Sequence, residues 1–132
     1  MVETLPVIDA LHQKSSVTAI ALHPTSGHLL IGNTDGLVQC VDVRSDAKDV
    51  LSKIHVNSKI VDVAWSTNKI VILDETNGLH VYSMDAEEVW NSDFDAGGAQ
   101  LHVGKQILAL DGIGTLRQYT LDGQEYTNVL RD

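Results

Sequence analysis

The sequence predicts an all-β chain in which a four-stranded antiparallel unit of about 40 residues occurs three times. Three observations carry this prediction. First, a turn followed by an alternating strand recurs, as Gly36-Leu37-Val38-Gln39-Cys40-Val41-Asp42, Asn77-Gly78-Leu79-His80-Val81-Tyr82-Ser83 and Gly114-Thr115-Leu116-Arg117-Gln118-Tyr119-Thr120. An apolar run precedes each turn (Leu29-Leu30-Ile31, Ile70-Val71-Ile72-Leu73 and Ile107-Leu108-Ala109-Leu110), and apolar strand, tight turn, alternating strand is a hairpin signal. Second, three stretches share one longer register: Val7–Leu11 with Val50–Ile54, His12–Val17 with His55–Ile60, and Val17–Leu22 with Ile60–Trp65. Third, β-branched residues recur at short spacing with turn punctuation, and few stretches carry helical period.

Taken in order, the first unit places strands near 17–22, 28–32, 37–43 and 49–54. Asp46–Leu51 could form a helical turn, but the repeat register puts Val50–Ile54 on a strand. The second unit covers about 60–94 and the third about 99–130, with an extra strand at 5–11 ahead of them. The first strand of each unit is apolar on both faces, as in a sandwiched strand, whereas the fourth is more polar, as at an edge.

The 132 residues allow a single domain, 1–132, and the balance of apolar and charged residues is that of an ordered globular chain. Nine basic residues against 18 acidic ones give a net charge of −9, which repels a phosphate backbone and argues against nucleic acid. The acidic residues, 13 Asp and 5 Glu, suit turns and a solubilising surface, or else salt adaptation or a basic partner. No apolar run reaches the length of a membrane span, and the first residues lack the basic start and apolar core of a secretion signal. Cys40 is the only cysteine, so no internal disulfide forms, and the expected compartment is the reducing cytoplasm.

At this point the residues resemble the blades of WD-repeat β-propellers. Asp35-Gly36-Leu37-Val38-Gln39-Cys40-Val41-Asp42 is similar to that family's Asp-Gly-x-Ile-x-x-Trp-Asp strand, with Val41 in place of Trp. His12 and His55 stand where the family has the histidine before each inner strand, and Ala21-Leu22-His23-Pro24 resembles its inner-strand ending. The third unit, from Glu88-Val89-Trp90 to Asp122-Gly123, is closer to quinoprotein-type repeats. The resemblance implies that His12 and His55 hydrogen-bond toward the turn carboxylate Asp35, a structural role. It also implies a protein-interaction scaffold rather than an enzyme.

A propeller closes with about four to eight blades, and three blades leave two apolar faces open. Two copies would make a six-bladed ring as a homodimer; a different chain could supply the missing blades, or the sequence could be the front of a longer propeller. Val7–Leu11 would then cross to the neighbour's third blade, although Gln124–Leu130 can already form that blade's outer strand. A ligand-binding propeller of quinoprotein or lectin type remains a rival reading.

Catalytic signatures are sparse. Cys40 sits mid-strand in an apolar setting, which suits a buried thiol better than a nucleophile. Gly-x-Ser-x-Gly and phosphate-loop patterns are absent, Glu87-Glu88 and Asp93/Asp95 suit solvated loops, and the histidines lack paired ligand spacing. The expectation is therefore no catalytic residue, no cofactor and no metal. Trp65, Tyr82 and Tyr119 fall on packing positions, while Trp90 and Phe94 could either cover a blade edge or meet a protein partner.

Overall fold

A computed structural model describes residues 16–126 apart from 45, 47 and 48. His12, the strand expected at 5–11 and most of the tail strand at 124–130 lie outside the described residues. Eleven strands form three antiparallel sheets among them. The first holds β1 (Val17–Leu22), β2 (His28–Asn33), β3 (Leu37–Asp42) and β4 (Val50–His55), in chain order. The second holds β5 (Ile60–Ser66), β6 (Lys69–Asp74), β7 (Gly78–Ser83) and β8 (Glu88–Asp93). The third holds β9 (Gly98–Val103), β10 (Ile107–Asp111) and β11 (Leu116–Tyr119). A bridge from Tyr119 to Glu125 and a bond from the Tyr126 amide to the Gln118 carbonyl, 2.8 Å, continue the third sheet toward a fourth strand.

Each sheet is a meander because each strand is short, four to seven residues, and successive strands are joined by turns rich in Gly, Asp, Asn or Ser. All three sheets repeat one irregularity at the start of the innermost strand. The register slips between Val17 and Ala19, between Ile60 and Asp62, and between Gly98 and Gln100, which leaves Thr18, Val61 and Ala99 as bulge residues. A bulge strengthens local twist and re-aims side chains. The innermost strands β1, β5 and β9 lie side by side, so the sheets stack like blades around a common axis.

Alternation sends one side of each sheet toward the next. Blade 1 offers Leu30, Val38, Cys40 and Ile54, which pack on Ile60, Val63, Ile70 and Ile72 of blade 2. The opposite side of blade 2 offers Val71, Leu73, Leu79 and Val81, which pack on Ile107, Ala109 and Tyr119 of blade 3. Each Val, Leu or Ile among them, fully buried, contributes about 1.5–3 kcal/mol. Trp65 reinforces the first joint by donating its Nε1–H to the Ala21 carbonyl, 3.0 Å away. In β5 the Asp62 carboxylate accepts the amide of Val63 at 2.9 Å, and burial raises its pKa.

β5 is enclosed on both sides, as its apolar sequence predicts. β1 is not: Ile20 and Leu22 are 64% and 60% exposed, although Ile31 and Val41 on the same side of blade 1 are buried with Val17, Leu29, Leu37 and Val43 packed against them. β4 and β8 are the most exposed strands of their blades, in keeping with their edge positions.

Candidate interaction surfaces

The loops at one end of the stack are organised by a side chain at the last residue of each second strand. Asn33 Oδ1 accepts the amides of Asp35 at 2.9 Å and Leu37 at 3.1 Å. Asp74 Oδ1 accepts those of Thr76, Asn77 and Gly78, and Asp111 Oδ1 those of Ile113 and Thr115 at 3.1 and 2.9 Å. Short Asn and Asp side chains are suited to this because they reach their own following backbone. Gly36 and Gly114 complete two of the turns at φ +87°, where a Cβ would be strained.

Six residues after each of these positions lies a partner. Asp74 Oδ2 meets His80 Nε2 at 2.6 Å, and Asp111 Oδ2 meets Arg117 Nε at 3.3 Å. In blade 1 the pair is Asn33 and Gln39, uncharged, and Gln39 Oε1 is buried without a hydrogen-bond partner. Burial opposes the charge on Asp74, but the bond from His80 and the Gly78 and Asn77 amides outweigh it, and its pKa falls to about 2. Burial likewise opposes protonation of His80, yet Asp74 and then Glu88 hold its pKa above the ordinary value. Asp111 is lowered against burial by the turn amides and Arg117.

The residues singled out in the sequence fall in different places. Asp35 is exposed, and its described role is to donate an amide to Asn33. His55 ends β4, exposed and opposite Leu37. The turn acceptors are thus Asn33, Asp74 and Asp111. Phe94 is buried, 1% exposed, beneath a stack with Tyr119 (6.3 Å between rings) and with the Arg117 guanidinium 4.7 Å from its ring. The packing therefore gives Phe94 to the blade edge and leaves it no surface for a partner. Its position repeats that of Val56: Val56 donates its amide to the Gly36 carbonyl and Phe94 to that of Asn77, both at 2.8 Å. Trp90 is half-buried against Tyr119, and its Nε1–H donates to the Leu121 carbonyl at 3.2 Å. Cys40 is buried in the first joint, where desolvation and then the nearby Asp42 charge raise its thiol pKa to about 11.

Two concave surfaces stand out among the described residues. A hollow of about 400 Å³ opens where the three innermost strands begin, floored by the bulge residues Thr18, Val61 and Ala99. Lys59 and Glu75 stand on its rim, 3.9 Å apart. Nothing in a single strand announces this hollow; the repeated bulge that builds it becomes visible only through the pairing register. The second surface, about 260 Å³, lies on the open side of blade 3 and is lined by Leu108, Leu110 and Leu116 with Gln100 and His102. On the outer side of blade 1 Ile20 and Leu22 are exposed, while Ile31 and Val41 beside them are buried. The turn residue Ile113, 78% exposed, adds an apolar contact point that strand patterning does not single out.

No helix among the described residues is long and apolar enough to cross a membrane. Neither a protein-family model nor a curated protein matches the sequence. Solved structures do resemble the fold. The computationally designed Ika4 protein aligns over 91% of this chain and 73% of its own, with a TM-score of 0.76 and 16% identity. Sqt1 of Saccharomyces cerevisiae aligns over 91% of this chain at TM-score 0.76 and 14% identity, and BamB of Moraxella catarrhalis over 90% at TM-score 0.76 and 14% identity. The chain spans 36% of the Sqt1 chain and 38% of the BamB chain. At these identities the likeness establishes architecture alone: the chain is an all-β stack of antiparallel sheets with the fold of β-propeller proteins.

Proposed function

We propose that this chain is a non-catalytic scaffold for protein–protein interaction, built of WD-like repeats, that completes its propeller by associating with a second copy of itself. The observation that carries the reading is exposed apolar surface at both ends of the stack: Ile20 and Leu22 on blade 1, beside the buried Ile31 and Val41, and Leu108, Leu110 and Leu116 on blade 3. Soluble chains seldom leave such contiguous surface to water, and three further blades would cover both ends at once. The exposed turns and the hollow floored by Thr18, Val61 and Ala99 then present one face of the ring to a protein partner. The titrating pairs support the non-catalytic assignment, because Asp74–His80 and Asp111–Arg117 are engaged in holding turns. The lone buried thiol of Cys40 supports a cytoplasmic setting.

A second reading has its own support: the chain spans little more than a third of the Sqt1 and BamB chains, which suits completion by a different, larger chain. Light scattering behind size exclusion separates the two. A species of twice 14.3 kDa supports self-completion. A monomer or a polydisperse aggregate at every concentration overturns it in favour of a heterologous partner.

A further inference from the structure

We infer that residues 7–13, ahead of β1, lie as a single extended strap across the outer side of blade 1, with Leu11 on Val41 and Gln13 beside Gln39. The segment lies outside the described residues; what assigns it is a strip of buried surface with no described cover. Pairing puts Ile20, Ile31 and Gln39 on one side of the blade, and Leu22, Leu29 and Val41 with them. A sheet side that nothing covers faces water. Here Ile31, Val41 and Gln39 are 1%, 0% and 6% exposed, and every described hydrophobic residue packed on Ile31 and Val41 belongs to blade 1 itself. On both margins the same side is open, at Ile20 and Leu22 on β1 and at Val50 and Lys53 on β4. The covered strip runs over β2 and β3 alone, which suits one strand and is too narrow for a sheet.

The chain makes the same contact twice within the described residues. Val17, Ile60 and Gly98 are equivalent, because each pairs with the turn-holding Asn33, Asp74 or Asp111. Four residues before Ile60 and Gly98 stand Val56 and Phe94, which directly follow β4 and β8 and donate their amides to the Gly36 and Asn77 carbonyls. Four before Val17 stands Gln13, and six before the three positions stand Leu11, Ile54 and Ser92. Ile54 is buried with Ile60, Ile70 and Ile72 of the next blade, and Tyr82 packs on the same cluster. Ser92 Oγ meets the Tyr119 hydroxyl of the next blade at 2.8 Å. Tyr82 and Tyr119 lie eight residues after Asp74 and Asp111, as Val41 does after Asn33. The residue six before an inner strand therefore meets the residue eight after the turn holder, which gives Leu11 to Val41. Likewise Phe94 packs against Arg117, six residues after Asp111, which gives Gln13 to Gln39. The chemistry agrees: Gln39 Oε1 is buried without a partner, and a glutamine amide supplies the donor that a valine or phenylalanine side chain lacks. The strap goes beyond the association proposed above and does not rest on it. It seals Ile31 and Val41 within the single chain and leaves Ile20 and Leu22, so the part of blade 1 offered to a second copy is β1.

The test places Leu11→Cys and Val41→Cys together in a Cys40→Ala chain, oxidises it mildly and reads the product on a non-reducing gel. A chain linked to itself, in most of the protein and at every concentration, is the expected result. A linked dimer means that the segment of another copy covers the face, and thiols that stay free mean that residues 7–13 do not; either result overturns the strap. Should this chain fail to fold by circular dichroism, thermal unfolding of Leu11→Ala, Val41→Ala and the two together reads the same contact. Leu11→Ala is expected to lower the midpoint by several degrees in the native chain and by far less beside Val41→Ala, whereas equal shifts overturn the contact. The gel and the unfolding curves read the strap, and light scattering of the native chain reads association, so the failure of one leaves the other standing.

Discussion

His80 Nε2 lies 2.6 Å from Asp74 Oδ2 across the turn joining β6 to β7, while the other oxygen of the same carboxylate gathers the amides of that turn. Asp74 is wholly buried, so the charge it keeps is held by these bonds alone. The pair ties the central blade's hairpin to its strand, and its strength depends on pH from both sides.

The lowered pKa of Asp74 contributes stability that is present above the ordinary 3.8 and is lost as pH falls toward 2. The raised pKa of His80 contributes stability that is complete below 6.5 and is lost as pH rises through its folded value. Stability from this pair therefore peaks between about pH 4 and 6.5, and Asp74 supplies on the order of 2 kcal/mol of it. Asp74→Asn retains an oxygen for the turn amides but removes the ion pair. Thermal unfolding from pH 3 to 9 should show a clear maximum in the native chain and a flatter profile in the variant; superimposable profiles would remove the pair's role.

Arg117 holds blade 3 by three contacts: the Asp111 carboxylate, Glu125 at 3.6 Å and the ring of Phe94. Replacing it with alanine leaves the buried Asp111 with only its turn amides, and the expected loss is about 1–3 kcal/mol. Arg117→Lys keeps a charge but not the planar fork over the ring, so it should restore only part of that loss in urea titrations. Full rescue by lysine would show that charge alone matters.

Val63 is 3% exposed at the joint between blades 1 and 2. Val63→Asp introduces an unpaired charge there and is expected to abolish cooperative unfolding of the whole stack. Ile20→Asp, on the exposed side of β1, should leave the monomer folded and disrupt association instead. Circular dichroism and light scattering on the two variants separate the effects. Equal loss of folding in both would contradict the exposure of Ile20.

Two copies bring together net charges of −9 each. Long-range repulsion between them is screened within about 10 Å at 0.1 M salt, whereas the apolar joint is not weakened by salt. Self-association should therefore tighten several-fold between 20 and 500 mM NaCl as roughly estimated from that screening. A dimer that dissociates as salt rises would point to ion pairs across the joint instead.

The strands were legible because their side chains alternate and their turns are punctuated; 17–22 is seen where it is read, and the third hairpin follows the same marker as the first. Period-two patterning also states which residues are buried, but not against what. Phe94 illustrates the gap. Its neighbours Asn91, Ser92 and Asp93 read as an exposed loop, and only the return of the chain over the Asn77 turn brings its ring under Arg117 and Tyr119. Asn33, Asp74 and Asp111 were hidden for a related reason: the turn marker directs attention to Asp35 and Gly36, and the acceptor role belongs two residues earlier, at the end of a strand. The bulge at Thr18, Val61 and Ala99 leaves no composition signal, since any small or branched residue tolerates it. Local alternation and turn chemistry act between neighbours in the chain and so are written in order along it. The blade joints, the i to i+6 locks and the exposed apolar surface at both ends arise from contacts between strands far apart in the chain, and only the stacked sheets bring those side chains within reach of one another.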